Sequence, residues 1–229
     1  MRFSKSVCFA GIVACSVFSA AASAYEPGDF ILRGGLARVV PNDSSNEVSA
    51  NNVRLANTGV GVGSDTQVGL TGTYMLTKNV GVELLASTPF THDIVAKGST
   101  LASLGLTGKI GEVKHLPPTL SVQYYFDNPS VVTPYLGAGV NYTWVLEDSL
   151  TPDAQAALGT NDLKVSNSRG LAFEAGADVK LTDHLLVNVA VWRMNIESTA
   201  YIRHSALGDL EVNATIDPWV YMVGMGYKF

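Results

Sequence analysis

The chain has 229 residues, of which 47% are hydrophobic, 15 are Lys or Arg and 20 are Asp or Glu. This composition excludes an intrinsically disordered chain, which needs low hydrophobicity and high charge, and the formal net charge of −5 argues against nucleic acid as a partner. After residue 24 no stretch reaches the ~18 consecutive apolar residues of a transmembrane helix, so a helical membrane protein is excluded as well.

The first 24 residues have the pattern of a cleaved secretory signal peptide. Arg2 and Lys5 form a positive region, residues 7–18 are apolar, and residues 22–24 (Ala-Ser-Ala) form a cleavage site of small residues. Removing 1–24 takes away two positive charges and no negative ones, so the net charge changes from −5 to −7. Both cysteines lie in this segment. The mature chain is therefore predicted to be one cysteine-free domain, residues 25–229.

From residue 25 onward, polar and apolar residues alternate with a period of two, which is typical of β-strands. In residues 173–181, for example, every odd position is apolar. Eight such segments are predicted, at 29–40, 65–76, 80–90, 115–126, 134–146, 169–181, 185–202 and 209–229. Their length of roughly ten residues or more suits a tilted bilayer crossing, and the even number suits a closed antiparallel barrel.

The connections between these segments alternate in length. Short turns are expected at 77–79, 127–133 and 182–184, and long loops at 41–64, 91–114 and 147–168. Only the last connection, about 203–208, breaks the alternation by being short. The pattern predicts an all-β fold: an eight-stranded antiparallel transmembrane β-barrel with short periplasmic turns and longer extracellular loops.

Two local patterns add detail. From Tyr221 to the terminal Phe229 every second residue is apolar or aromatic, which resembles the C-terminal signal that the barrel-assembly machinery recognises. This machinery is thus a predicted partner through Phe229, and outer-membrane lipids are predicted around the barrel. In the third long loop, Thr151, Pro152 and Gly159 predict a short helix, either a lid over the barrel mouth or only a folded loop.

Several motifs, in order, make the chain resemble the OmpW family of Gram-negative outer-membrane proteins. They are residues 80–90 (VGVELLASTPF), 115–120 (HLPPTL), 134–142 (PYLGAGVNY), 186–194 and 217–229. The resemblance covers most of the chain after residue 24 and is weakest in loops 41–64 and 147–168. It implies an outer-membrane barrel that passively admits small hydrophobic molecules through a narrow apolar lumen, with lateral exit into the bilayer.

Strand parity predicts a polar plug in the periplasmic half of the barrel. The inside of an eight-stranded barrel holds only its own side chains or one small ligand, so a water-filled pore is disfavoured. The charged residues at inward positions are Arg33, Glu83, Glu174, Asp178, Lys180 and Lys228. Opposite charges across a narrow lumen should pair, either as a purely structural plug or as part of an ion path.

Toward the extracellular end, the inward positions become apolar. Leu85 shares the face of Glu83, and Trp192, Met194 and Ile196 continue one inward row. These four residues predict an apolar lumen or gate, although they would also serve as simple packing. The family resemblance places Leu85 and Trp192 at its hydrophobic constriction.

Three prolines flank the loop 91–114. Pro89, Pro117 and Pro118 lack the backbone N–H that strand pairing needs, so they predict either a lateral opening in the wall or merely strand ends.

The histidines do not indicate catalysis, because none has a serine and a carboxylate at a recognisable spacing. His92 and His115 flank one hairpin, but two imidazoles alone make too weak a set for a metal site, so neither metal nor cofactor is predicted. The favoured function is a non-enzymatic channel for small hydrophobic solutes. The alternative is a structural or receptor barrel whose extracellular loops bind partners such as a phage or a bacteriocin.

Overall fold

A computed structural model describes residues 24–127 and 129–229; the predicted signal peptide, apart from Ala24, lies outside them. The strands are β1 (Phe30–Val40), β2 (Ser44–Ser45), β3 (Ser49–Ala50), β4 (Val53–Arg54), β5 (Gly59–Val62), β6 (Asp65–Met75), β7 (Val80–Ser87), β8 (Phe90–Lys97), β9 (Lys109–Leu116), β10 (Thr119–Tyr125), β11 (Val132–Leu150), β12 (Leu163–Val165), β13 (Ser168–Lys180), β14 (Leu185–Met194), β15 (Glu197–Ser205), β16 (Gly208–Thr215) and β17 (Trp219–Lys228). The helices are α1 (Ser99–Ser103) and α2 (Pro152–Leu158). Within the described residues, no helix is long and apolar enough to cross a membrane.

Eight strands close into a barrel in the order β1-β6-β7-β10-β11-β13-β14-β17, and β17 pairs back onto β1. Every neighbouring pair in this ring is antiparallel, which confirms the predicted fold. Side chains alternate between the lumen and the outer face: in β6, Val68 and Leu70 are exposed whereas Thr71 and Thr73 are buried. The exposed apolar side chains continue around the barrel, so its outer face matches a hydrocarbon surrounding better than water.

The connections alternate in length without exception, which corrects one expectation. Short turns follow Met75, Tyr125 and Lys180, and long connections follow Val40, Ser87, Leu150 and Met194. The expected strands 185–202 and 209–229 are each divided, because their alternation continues into the separate hairpin β15–β16. The prediction of a short last connection was therefore wrong. The two ends of the connection between β14 and β17 lie close together, because the Ile196 N–H donates to Asp217 Oδ1 at 3.1 Å, next to Pro218.

The expected strands 80–90 and 115–126 are each interrupted as well, at residues 88–89 and 117–118, and much of the expected loop 91–114 is strand. The chain leaves β7 after Ser87 and forms β8 and β9 above the barrel before it returns as β10 at Thr119. Strand β11 is longer than expected because its upper part, from Trp144, pairs with β9. This end of the barrel, where the long connections lie, is called the loop end below, and the opposite end is called the turn end.

The molecule has two apolar cores. One fills the barrel lumen and includes Ile31, Met75, Trp192 and Met222. The other lies among the long connections and includes Val48, Leu101, Leu150, Leu158 and Leu210. The predicted helix is confirmed as α2: the Thr151 side chain accepts from the Ala154 N–H, and Gly159 ends the helix with φ of 70°. It packs into the second core through buried Ala154 and Leu158.

Candidate functional site: an apolar cavity above a charged network

A charged network centred on Arg33 fills the barrel on the turn side of the lumen. Arg33 donates to Asp178 through Nε at 3.0 Å and Nη2 at 2.6 Å, and its Nη1 lies 3.4 Å from Glu83 Oε2. Glu174 joins through Gln123, whose Nε2 lies 2.9 Å from Glu174 Oε1. Arg33, Glu83 and Gln123 are each 0% exposed, so their side chains occupy the space that a straight aqueous channel would need.

The two lysines predicted for the plug lie elsewhere. Lys180 is exposed and pairs with Asp183 at 2.7 Å, and Lys228 lies at the turn-end rim, 3.5 Å from Asp29. Strand parity predicts the face of a residue but not its depth, and both lysines stand at strand ends, where a long side chain extends to solvent. The buried network therefore carries three carboxyl groups and one guanidinium.

Sequence reasoning missed the tyrosines that complete the network. Tyr25 lies before the first strand, yet it is buried and donates to Asp178 Oδ2 at 2.6 Å. Tyr125 accepts from Arg33 Nη2 at 2.9 Å and donates to Gln123, while Tyr135 accepts from Asn188. The inward parity of Tyr125, shared with Gln123, was the available signal; no pattern identified Tyr25.

Apolar side chains separate this network from the loop end. Leu85 lies two residues beyond Glu83, and Trp192 is the cross-strand neighbour of both Glu174 and Val220. Both are buried in the lumen core. On β14, Trp192 lies between Asn188, which donates to Asp178, and Met194, which lines the cavity described next. Leu85 and Trp192 do not line that cavity themselves, and we call them its apolar floor.

An apolar cavity of about 80 Å³ lies directly above this floor. Met194 and Val220 line it from the barrel strands, and Ile196 lines it from the start of the last long connection. Other valines and isoleucines of the long connections line its upper part. A second cavity of about 50 Å³ lies in the apolar core among the long connections and shares Val60 and Ile94 with the first. For scale, a cavity of about 150 Å³ accommodates benzene, so a ring-sized solute requires some separation of the loops here.

Phe90, His92 and His115 form an aromatic stack beside the cavity. The imidazoles of His92 and His115 lie 5.0 Å apart at an interplanar angle of 16°, and Phe90 stacks about equally far from both. His92 Nδ1 is 2.6 Å from the Gly63 carbonyl oxygen, so in a neutral ring this nitrogen is the donor. The pairing of β8 with β9 thus brings together the two histidines that flank this hairpin. In the part of the chain described, no group of three potential ligands forms a metal site.

His115 lies in β9, outside the eight barrel strands, in a poorly solvated position. Burial lowers the pKa of His115 from 6.5 to about 3; neighbouring His92 lowers it further, and Asp65 opposes the shift. Between these two pH values His115 is protonated in the unfolded chain but neutral in the folded protein. Its contribution to stability is therefore complete above pH 6.5 and is lost as the pH falls toward 3.

We therefore expect acidification to weaken the fold through His115. Between about pH 7 and pH 5 the free energy of unfolding should fall by up to about 2 kcal/mol in the wild type, and by clearly less in His115→Phe. Urea unfolding of the two proteins in lipid vesicles at both pH values measures the difference. Equal losses in both proteins would show that His115 is not held neutral.

The wall is interrupted beside this stack, in a segment called the wall gap: residues 86–89 facing residues 116–118. Pairing of β7 with β10 ends at Leu85 and Thr119, and pairing of β8 with β9 begins at Phe90 and His115. Among the described residues, no backbone hydrogen bond joins the two edges in between. Pro89, Pro117 and Pro118 all lie in this gap.

The edge of the wall gap that contains Pro117 and Pro118 is hydrogen-bonded to the neighbouring barrel strand, β11. Asn141 of β11 donates through Nδ2 to the carbonyl oxygens of Pro117 and Pro118 at 3.1 and 3.2 Å. Pro117 lines the apolar cavity on the inside, and Pro118 lines a groove on the outer face with Leu84 and Leu120. A two-residue segment thus separates the cavity from the outer face of the barrel.

A closed antiparallel barrel with an apolar outer face and a polar network inside defines an integral β-barrel of the bacterial outer membrane. The comparisons with known proteins agree, because the OmpW family profile matches residues 26–229. The chain belongs to the OmpW family. This is a family of outer-membrane barrels rather than enzymes, as the sequence predicted.

The relatives match over nearly the full length. Outer membrane protein W of Vibrio cholerae is 45% identical over 229 residues, covering 98% of this chain and 99% of its own, and outer membrane protein W of Escherichia coli is 39% identical over 228 residues, covering 98% and 100%. The crystal structure of OprG from Pseudomonas aeruginosa superposes with a TM-score of 0.83 at 43% identity, covering 90% of this chain and 97% of that one. The chain is thus an outer-membrane protein of a Gram-negative bacterium, surrounded by lipid.

Proposed function

We propose that this barrel mediates passive uptake of small hydrophobic molecules across the outer membrane. The solute enters between the long connections, occupies the apolar cavity and leaves sideways through the wall gap into the bilayer. The single observation that carries the proposal is the position of the cavity, which is lined on one side by Met194 and Ile196 and on another by Pro117.

Two features favour lateral exit over a straight passage. The Arg33 network fills the lumen below the cavity with buried side chains. An apolar solute would have to displace paired charges to pass it, which costs far more than leaving through an unpaired stretch of wall. At the wall gap, the prolines provide no N–H, so separating the edges breaks no backbone hydrogen bond.

A more distant relative supports the chemical class of the solute. A Pseudomonas aeruginosa protein named dibenzothiophene metabolism operon protein PahQ is 25% identical over 158 residues, 68% of this chain. Dibenzothiophene is an apolar aromatic molecule, so the name of that relative is consistent with hydrophobic uptake.

A matched pair of methionine variants tests the role of the cavity. Met194 and Met222 are both fully buried in the lumen, but only Met194 lines the cavity. In Met194→Gln, the amide should hold water that an apolar solute must displace, which lowers uptake about tenfold for a cost near 1.4 kcal/mol. Met222→Gln should leave uptake close to that of the wild type.

The measurement is the uptake rate of a small apolar fluorescent reporter into vesicles carrying each folded protein, corrected for empty vesicles. Folding is checked by heat-modifiable gel mobility. A wild type no faster than empty vesicles would overturn the proposal and favour a receptor or scaffold acting through the loops. Equal loss in both variants would show that the cavity is not the route.

A further inference from the structure

We infer that the cavity selects neutral apolar molecules that carry a hydroxyl group, such as phenols and alcohols, and that His115 recognises this group. The inference rests on the proposed uptake function and adds the solute class. It also assigns His115 a role in specificity that simple packing of the stack does not require.

The first observation is an unpaired nitrogen. His115 lines the cavity, and its Nδ1 is buried without a hydrogen-bond partner. A buried polar atom of this kind is costly to leave unpaired, so a ligand that supplies its partner gains affinity. Because neutral imidazole offers one donor and one acceptor nitrogen, a hydroxyl group, which can both donate and accept, matches it in either tautomer.

The second observation is that other polar groups lining the cavity already have partners. Thr143 Oγ1 donates to Asn141 Oδ1 at 2.8 Å, and Ser198 Oγ donates to the Ser166 carbonyl at 2.7 Å. Ser168 Oγ accepts from the Glu197 N–H at 3.1 Å. Among the described residues that line the cavity, His115 is the one whose side chain has a buried polar atom without a partner, and we take it as the group that binds the solute.

The third observation concerns charge. Among the described residues that line this cavity there is no Lys, Arg, Asp or Glu. A carboxylate or an ammonium group would lose its hydration without gaining an opposite charge, so ionic solutes should be rejected. The rings of His92 and His115, which both line the cavity, add aromatic surface against which the ring of a solute packs well.

Toluene, p-cresol and p-toluate form a matched series that differs only in one substituent. Binding to the protein in lipid nanodiscs is followed by NMR of the His115 imidazole nitrogens and corrected for partition into empty discs. We expect p-cresol to bind about tenfold more tightly than toluene, and p-toluate not to bind. The His115 nitrogen signals should shift with p-cresol and hardly with toluene.

Two variants separate recognition from folding. His115→Phe keeps a stacking ring but removes the polar atoms, so the preference for p-cresol should disappear while toluene still binds. His115→Gln keeps a donor and an acceptor and should retain part of the preference. Both must show heat-modifiable mobility like that of the wild type.

The outcomes also separate this inference from the proposed function. If toluene and p-cresol bind the wild type equally, or if His115→Phe keeps the preference, the hydroxyl selectivity is wrong while hydrophobic uptake stands. If neither compound binds the wild type and no apolar reporter enters the vesicles, the proposed function itself fails.

Discussion

Replacing Arg33 with methionine is expected to destabilise the barrel by about 3–5 kcal/mol. Arg33 is completely buried and bonds to Asp178, Thr73 and Tyr125. Methionine has a similar length and leaves little empty space, but it leaves three buried carboxyl groups without a positive partner. The loss is measured as the free energy of urea unfolding of the protein in lipid vesicles.

Two controls identify charge pairing as the cause. Lys180→Met removes a positive charge whose partner Asp183 is exposed, and it should leave the free energy of unfolding unchanged. The double variant Arg33→Met/Asp178→Asn should be more stable than Arg33→Met, because it also removes one uncompensated charge. If Arg33→Met were as stable as Lys180→Met, the network would not be the structural centre of the lumen.

A covalent bridge across the wall gap is expected to reduce uptake at least about tenfold, toward the rate of empty vesicles. The register of β7 and β10 pairs Leu85 with Thr119, and its extension places Ser87 opposite Pro117. The chain from residue 25 onward has no cysteine, so Ser87→Cys/Pro117→Cys introduces one defined disulfide. The bridge holds the edges together. Because it also replaces Pro117, which lines the cavity, the reduced form of the same variant is the reference for the bridged form. A reductant should restore uptake.

A second bridge at a paired position is the matched control. Val82 and Val122 are register partners within the β7–β10 ladder, where hydrogen bonds already hold the strands. The disulfide in Val82→Cys/Val122→Cys should therefore have no effect on uptake. Slower uptake with this bridge as well would indicate general stiffening of the barrel instead of closure of an exit.

The barrel could be predicted from the sequence because lipid imposes a strict period of two on the strands. This parity placed Arg33, Glu83, Glu174 and Asp178 on inward faces, and the structure brings these four together in one network. The helix α2 could also be predicted from the sequence, because its cap depends only on neighbouring residues: the Ala154 N–H donates to the Thr151 hydroxyl oxygen.

Depth and long-range packing could not be predicted in this way. Parity predicts that Lys180 faces the same side as Asp178. Because Lys180 is the last residue of its strand and has a long side chain, its ammonium group lies in solvent instead. Tyr25 contributes through contacts with Asp178 and Tyr125, far along the sequence. No local pattern reports such contacts.

The apolar core among the long connections could not be predicted from the sequence, for a related reason. Its residues come from several long connections, each too short to show a period of its own, and they meet only after the barrel positions their ends. In the last connection, the alternation of β14 and β17 runs on into β15 and β16, which concealed the breaks near Ile196 and Asp217. The unpaired nitrogen of His115 likewise becomes visible only once β8 and β9 stack their rings.

The most direct test of lateral uptake is the rate of apolar reporter entry in one preparation of Ser87→Cys/Pro117→Cys, before and after reduction. Bridge formation is verified by gel mobility without reductant and by the loss of free thiols. We predict that entry through the bridged protein is close to that of empty vesicles, and that reduction raises it at least about tenfold while Val82→Cys/Val122→Cys stays constant. Equal, fast entry in the fully bridged and the reduced protein would contradict exit through the wall gap.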